Sequence, residues 1–442
     1  MQRIAHKIDL LNGKEFATIY NEIQPGHFNN IDMVPNTDWQ NEVYKIAPVQ
    51  NYQLSASGAT KNVQYYLGIG YFNQKGIIDK SSYERVNVTF NNTFNLTSFL
   101  DIGTNVSVAP FSQQIAPDVT YAVYRAQPVL VPYYPDGSFA VVYNVGNPLA
   151  DLAYSNNYRK GIRGVGSIYA QAYFLKGFTL KTSFGVDGQY NKATNFTPAF
   201  TVYNPDGTAS QQQNVLSDLT KADNDIFTWL WENTLSYKKD IKKNSFDGVV
   251  GYTMQRTKSE NMTIVGNNVI RNGENFWYIS PSYIIDPANN VNTVNQIVND
   301  VDVNNYYSMI SFLFRVNYSF DKRYILTATF RRDGSSKFAK SNRFSNFPSF
   351  AAGWNISQED FMKNIRAISK LKLRASWGKI GNEKIAYYDR YGRVDANIIA
   401  ILGQNAAPYP GASYDVSGNP NLKWEVSTQT DAGLEAGLTG GR

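Results

Sequence analysis

The chain has 442 residues, 42 Lys plus Arg against 36 Asp plus Glu, two His and no Cys. That composition excludes disulfide frameworks, thiolate chemistry and Cys/His zinc sites. A net charge of +6 is too dilute over this length to be a nucleic-acid footprint, while 43% hydrophobic and 14% aromatic residues exclude disorder and favour β structure, as one large barrel or several domains.

The first fifty residues differ from the rest. Asn12 with Glu15 three positions later makes a capping-box start, and Phe16, Ile19, Tyr20 and Ile23 follow at helical spacing. A second short helix is expected from Thr37, with Gln40 three later, Trp39, Val43 and Ile46 as its stripe and Pro48 as its stop. Residues 1–50 therefore read as a loop and helical segment leading into a second unit, 51–442.

From Tyr52 onward the period is two. In 178–190 one face reads Phe178, Leu180, Thr182, Phe184, Val186, Gly188, Tyr190, and the other Thr179, Lys181, Ser183, Gly185, Asp187, Gln189. Phe227, Trp229, Trp231, Leu235 and Tyr237 form another stripe. Tyr324, Leu326, Ala328 and Phe330 oppose Thr327, Thr329 and Arg331, and Leu371, Leu373, Ala375 and Trp377 oppose Lys372, Arg374 and Ser376. Trp424, Val426, Ala432, Leu434 and Leu438 close the series. About thirteen such strands are expected, several of about ten residues or more, enough to cross a bilayer at a tilt. Short turns near 58–62, 96–100, 175–177, 238–244 and 320–323 alternate with long polar connections, 110–163, 191–224, 257–304 and 379–422. This is the layout of an antiparallel up-and-down membrane barrel. A secreted sandwich or propeller also alternates; aromatic residues at the stripe ends (Phe174, Phe178, Tyr237, Phe246, Tyr318, Phe320, Tyr324) and the alternation of connection length favour the membrane. No apolar run approaches the roughly 20 residues of a membrane helix.

Chemistry-bearing constellations are missing. His6 and His27 have no partner His or Cys nearby and read as surface residues. Gly161, Gly164 and Gly166 lack the spacing and context of a dinucleotide fingerprint. Asp136-Gly137, Asp206-Gly207 and Asp333-Gly334 read as turns before calcium loops. The run 238–243 (KKDIKK) reads as a solvated turn, with contact to anionic lipid as the alternative. No carboxylate pair stands out, so no catalytic residue, cofactor site or metal site is assigned. What remains is a binding argument. Flat rings and amides in long loops suit sugars or peptides, and the candidates are Tyr121, Tyr124, Tyr133, Tyr134, Trp277, Tyr278, Tyr283, Tyr387 and Tyr388; at each, packing within the loop is the plain alternative.

Four strings carry a resemblance. NTDWQNEVYKIAPVQNYQLSASGATKNVQYYLGIGYFNQKGII (36–78), RYILTATFRRDGSSKFAKSNRFSNFPSFAAGWNISQEDFM (323–362), LKLRASWGKIGNEKI (371–385) and NPNLKWEVSTQTDAGLEAGL (419–438) resemble, in order, barrel segments of SusC/RagA-type TonB-dependent outer-membrane transporters. The resemblance implies an all-β barrel of about 22 strands in the cell outer membrane, plugged in its lumen. A SusD-like surface lipoprotein would hand over oligosaccharides or peptides, and the TonB-ExbB-ExbD complex would supply energy. Signal peptide, TonB box and plug would precede Gln2 and further strands would follow Arg442, so the chain is expected to be an internal piece of the barrel. The mapping puts Asp333-Gly334 at an outer hairpin, Asp321-Lys322 in a periplasmic turn, and Arg315, Arg331, Lys372 and Arg374 on the lumen face. A passive porin-like barrel and a secreted glycan-binding β protein are the competing functions.

Overall fold

The computed structural model describes residues 1–269, 271–278, 305–362, 365, 367–402 and 407–438. Two helices, α1 (Gly13–Ile23) and α2 (Trp39–Val43), precede strands β1 (Val49–Ala59), β2 (Val63–Lys75), β3 (Ser82–Thr97) and β4 (Leu100–Gln114). Helices α3 (Thr120–Arg125) and α4 (Pro148–Tyr154) lie in the next connection. Then come β5 (Asn156–Phe174), β6 (Phe178–Thr197), a hairpin of β7 (Phe200–Tyr203) and β8 (Ala209–Asn214), β9 (Asp218–Ile241) and β10 (Asn244–Asn267). The last third holds β11 (Asn305–Phe320), β12 (Tyr324–Ser335), β13 (Phe344–Asn355), β14 (Ile368–Asn382), a hairpin of β15 (Arg393–Leu402) and β16 (Ala407–Val416), and β17 (Glu425–Leu438).

Thirteen strands form one antiparallel sheet, β1-β2-β3-β4-β5-β6-β9-β10-β11-β12-β13-β14-β17, in chain order once the two hairpins are set aside. The up-and-down expectation holds, as an open barrel wall. Its register aligns the apolar stripes. Phe178 faces Tyr237 and Phe174, Phe246 faces Tyr318, Phe320 faces Tyr324, Tyr324 faces Trp354 and Trp354 faces Leu373. Side chains alternate faces along a strand, so every apolar row falls on one side of the sheet and every polar row on the other. Along its central belt the apolar side meets no second layer among the described residues. Phe312 stays 48% exposed, Leu326 51% and Phe350 56%. A sandwich would have buried them, with a gain of about 2 kcal/mol each from the apolar area removed from water. On β6 the apolar row 178–190 runs about 40 Å, or about 29 Å of depth at a tilt of about 45°. No helix among the described residues is long and apolar enough to cross a membrane.

Several strands outrun the periodic signal. β6 continues to Thr197, β9 starts at Asp218, and β10 ends at Asn267 rather than near Thr257. The extensions carry charges where the apolar row would continue: Lys192 opposite Asp223, and Glu260 opposite Asp225. Hydrogen-bonded ladders do not need apolar side chains, so the strand persists after its hydrophobic period stops. The long connections are correspondingly shorter, 115–155, 198–217, 268–304 and 383–424, and two of them contain the β hairpins.

The N-terminal segment caps the long-connection end. The Asn12–Glu15 capping box of α1 is present in both directions. α2 begins one residue later than expected, because Asp38, not Thr37, caps it by accepting from the Asn41 backbone. The Thr37 hydroxyl donates instead to the Leu130 carbonyl at 2.7 Å. Trp39 and Val43 then pack with Val119, Val123, Val142 and Leu152 of the 115–155 connection into a small buried core.

Candidate functional site

The polar side of the sheet is a wall of cross-strand hydrogen bonds and ion pairs. Arg331 donates to Asp333 at 2.7 Å and to Ser311 at 3.3 Å. Arg315 reaches Thr329 at 3.2 Å, and the Thr327 hydroxyl donates to Asn317 at 2.9 Å. Arg163 pairs with Asp187 at 2.9 Å, while Lys181 sits 4.5 Å above the Tyr169 ring. Lys372 and Arg374 lie on this side, as expected, and line a groove of about 450 Å³ floored by Ala351, Gly353, Ser376 and Gly433 and flanked by Asp431. The small residues leave depth there, and the two cations give it positive character.

Where this side meets the long-connection end, rings appear on the polar rows. Phe72, Tyr83 and Phe111 form one ladder, with centroids 6.2 and 5.9 Å apart. At the other flank, Phe338, Phe347 and Trp424 make a buried cluster that includes Met309, Ile385 and Leu422. Beside it Tyr307 and Tyr387 stack 5.8 Å apart and nearly parallel. Lys337 lies over both rings, at 4.8 and 5.5 Å, and donates to the Glu383 carbonyl at 3.2 Å. The Tyr307 hydroxyl donates to the Glu383 carboxylate. Burial, then the Glu383 charge, pushes the Tyr387 hydroxyl up from its ordinary pKa, so it stays a donor.

The 115–155 connection is organised by amides. Buried Asn147 donates to the carbonyls of Pro132 at 2.7 Å and Ala140 at 2.9 Å, and caps α4 through the Leu149 backbone. Gln212 of β8 accepts from the Asn147 backbone and donates to Asp151 at 2.8 Å. Burial raises the Asp151 pKa, and the Gln212 bond partly offsets it. Just after α2, Tyr44 is pushed up to about 12 by burial and by its hydrogen bond with Tyr124.

The loop aromatics are thereby sorted. Tyr133 packs on Phe139, which leads through Tyr154 to Phe200 in an unbroken run of ring contacts. The Tyr134 hydroxyl accepts from the Val141 backbone at 3.3 Å. Tyr121 is exposed beneath Arg125, and Tyr124 joins the α2 core. Trp277 is buried with Phe196 and Leu219 on the apolar side, away from the polar wall, with Tyr278 exposed next to it. Tyr387 is in the Lys337 cluster, and Tyr388 contacts Tyr391. Tyr283 lies outside the described residues. The eight that are described are not gathered into one site. Tyr307, Lys337 and Glu383 were not singled out from the sequence. A ring on a polar row, as at Tyr307, Phe347, Phe111 and Phe72, was the available signal.

A family described as TonB dependent receptor-like, beta-barrel, matches residues 121–442. A TonB-dependent receptor of Formosa agariphila is 29% identical over 99% of this chain and 43% of its own length. The TonB-dependent receptor SusC of Bacteroides thetaiotaomicron is 27% identical over 99% of this chain and 44% of its own. The solved RagAB peptide transporter superposes with a TM-score of 0.77 at 21% identity, over 98% of this chain and 47% of that one. The chain thus spans less than half the length of each of these relatives. With this wall, this register and these relatives, the chain belongs to the TonB-dependent receptor β-barrel family in its SusC/RagA branch, a family of outer-membrane transport proteins and not of enzymes.

Proposed function

We propose that the chain forms part of the barrel of an energy-coupled outer-membrane importer of oligosaccharides or peptides, working with a SusD-like surface lipoprotein and drawing energy from the TonB-ExbB-ExbD complex. In this reading 1–50 is the lead-in segment and 51–442 is barrel. The single observation that carries it is the apolar side, continuous across the thirteen strands of the sheet and, along its central belt, covered by no second layer among the described residues, backed by a polar wall. The RagAB peptide transporter supports the peptide class by likeness alone; the oligosaccharide class follows from the resemblance of the barrel strings. The long-connection end, with its rings and amides, would be the outer mouth, and Tyr133, Tyr134, Trp277, Tyr278, Tyr387 and Tyr388 the loop aromatics among which substrate contacts are sought. Tyr387 is favoured, because its ring is already held by Tyr307 and Lys337 on the polar side of the wall.

Uptake of labelled oligosaccharides and peptides by cells with and without the gene, each with and without a working TonB, tests the proposal. Uptake lost on removal of either is expected. Uptake that survives loss of TonB would establish the passive porin reading instead.

A further inference from the structure

The short-turn end carries a repeated local oddity. The β1–β2, β5–β6, β9–β10 and β11–β12 turns place Lys61, Lys176, Lys242 and Lys322 at their tips, all exposed. Three of these lysines adopt left-handed backbone, with φ of +31° at Lys176, +52° at Lys242 and +55° at Lys322. That conformation is unfavourable for L side chains other than Asn and Asp, and Gly would relieve it. At the opposite end Gly137 and Gly207 take the positive φ in the turns of 136–138 and 206–208, at +85° and +81°, and the one left-handed lysine among the described residues there, Lys80 at +60°, has its ammonium held by the Ala153 and Ser155 carbonyls. An outlier repeated in neighbouring turns points to a use for the side chain.

The tip lysines are also uncompensated. Among the described residues none of the four has an ion-pair partner. The carboxylates nearest Lys322 are taken: Asp321 pairs with Lys243 at 2.8 Å and Arg323 at 3.3 Å, and Glu359 with Arg323 at 3.0 Å. Lys239 adds a further exposed cation on the apolar side of β9, two residues past Tyr237, while Asp240 falls on the polar side. Immediately inside these turns runs the aromatic row: Phe174–Phe178 at 5.7 Å, Phe178–Tyr237 at 4.4 Å, Phe246–Tyr318 at 4.9 Å, and Tyr324 between Phe320 and Trp354 at 6.4 and 6.3 Å. Rings at the hydrocarbon boundary, then flexible cations one step beyond, put the ammonium groups at the depth of lipid phosphates.

We propose that the lysine-tipped short turns bind the phosphate groups of anionic phospholipid in the adjacent membrane leaflet, so that the barrel is anchored at this end by charge as well as by its apolar belt. The proposal rests on the outer-membrane reading above. It extends to four turns what KKDIKK alone left as a secondary possibility.

The test uses the intact protein purified from its own membrane, incorporated into vesicles of phosphatidylethanolamine alone or with phosphatidylglycerol added, with bound lipid then counted by native mass spectrometry. Each lysine near an anionic surface is worth about fivefold in partition. After screening, retention of phosphatidylglycerol over phosphatidylethanolamine by at least about tenfold is expected. The combined Lys61→Gln, Lys176→Gln, Lys242→Gln and Lys322→Gln variant should lower that ratio severalfold, and the matching Arg variant should keep it. Equal retention of both lipids by the unmodified protein, or an unchanged ratio in the Gln variant, overturns the proposal and leaves the turns to a soluble acidic partner. Protein that enters neither kind of vesicle overturns the membrane reading and this proposal with it; entry without preference overturns this proposal alone.

Discussion

The two ends of the same wall are built on opposite principles. At the short-turn end two or three residues close every hairpin except β13–β14, cations at the tips and aromatic residues just inside them recur, and the order comes from backbone ladders and ring contacts along one row. At the long-connection end the ladders run past the apolar belt and the connections fold on their own small cores: Trp39 with Val123, Phe338 with Trp424, Phe196 with Trp277. The first end needs only the sheet. The second is a set of satellite structures, each with its own contacts to lose, and is the end where variation among relatives can change what is bound without disturbing the wall.

Loss of one satellite core should make the sharpest break between the ends. Phe338 is fully buried against Trp424 and Phe347, so Phe338→Ala should cost about 3–5 kcal/mol. Hydrogen exchange should show that loss confined to 336–343 and 383–424, with short-turn amides unchanged; a wall that opens throughout would show the two ends to be one cooperative unit. Next in size, Leu326→Arg on the apolar side should disfavour bilayer folding by about 2–4 kcal/mol. Thr327→Arg, one residue on and on the polar side, loses the bond to Asn317 and adds a cation beside Lys372 and Arg374, but should cost clearly less because its charge stays in water. Equal penalties in a vesicle folding titration would contradict the assignment of faces.

A smaller loss is expected from Asn147→Ala, which strands the Pro132 and Ala140 carbonyls. About 1–3 kcal/mol of local stability should go, read as faster proteolysis within 115–155. The smallest effect has a pH signature. Asp151 has its pKa raised by burial, so it adds stability below the unfolded carboxyl value and loses it as pH rises through the folded value. Asp151→Asn, whose amide oxygen can still accept from Gln212, should therefore stabilise this connection slightly at neutral pH and leave it unchanged in acid. Gain at low pH instead would reverse the sign and refute the burial argument.

Much of the wall was legible because the period-two pattern is a direct consequence of a sheet with unlike faces. The rows 178–190 and 324–331, the turn 175–177 and the family strings were all readable from residue order. The mouth was less legible. The Asn147–Gln212 joint spans 65 residues, and the Tyr307–Glu383 contact spans 76; neither leaves a local trace. Thr37 read as a helix cap because its spacing to Gln40 suited one, yet its hydroxyl was claimed by Leu130, 93 residues away.

Residue order by itself determined which side of each strand meets hydrocarbon, where the tight turns fall, and which family the chain resembles, because side-chain alternation and turn chemistry act over a few residues. Only the tertiary structure decided how far the ladders run beyond the belt, which loop rings serve as packing and which reach the polar wall, and that lysines at the tips of separate turns line one rim. Those outcomes depend on contacts between segments far apart in the chain, and hydrogen-bond ladders and ring stacks impose no period that a local pattern can carry.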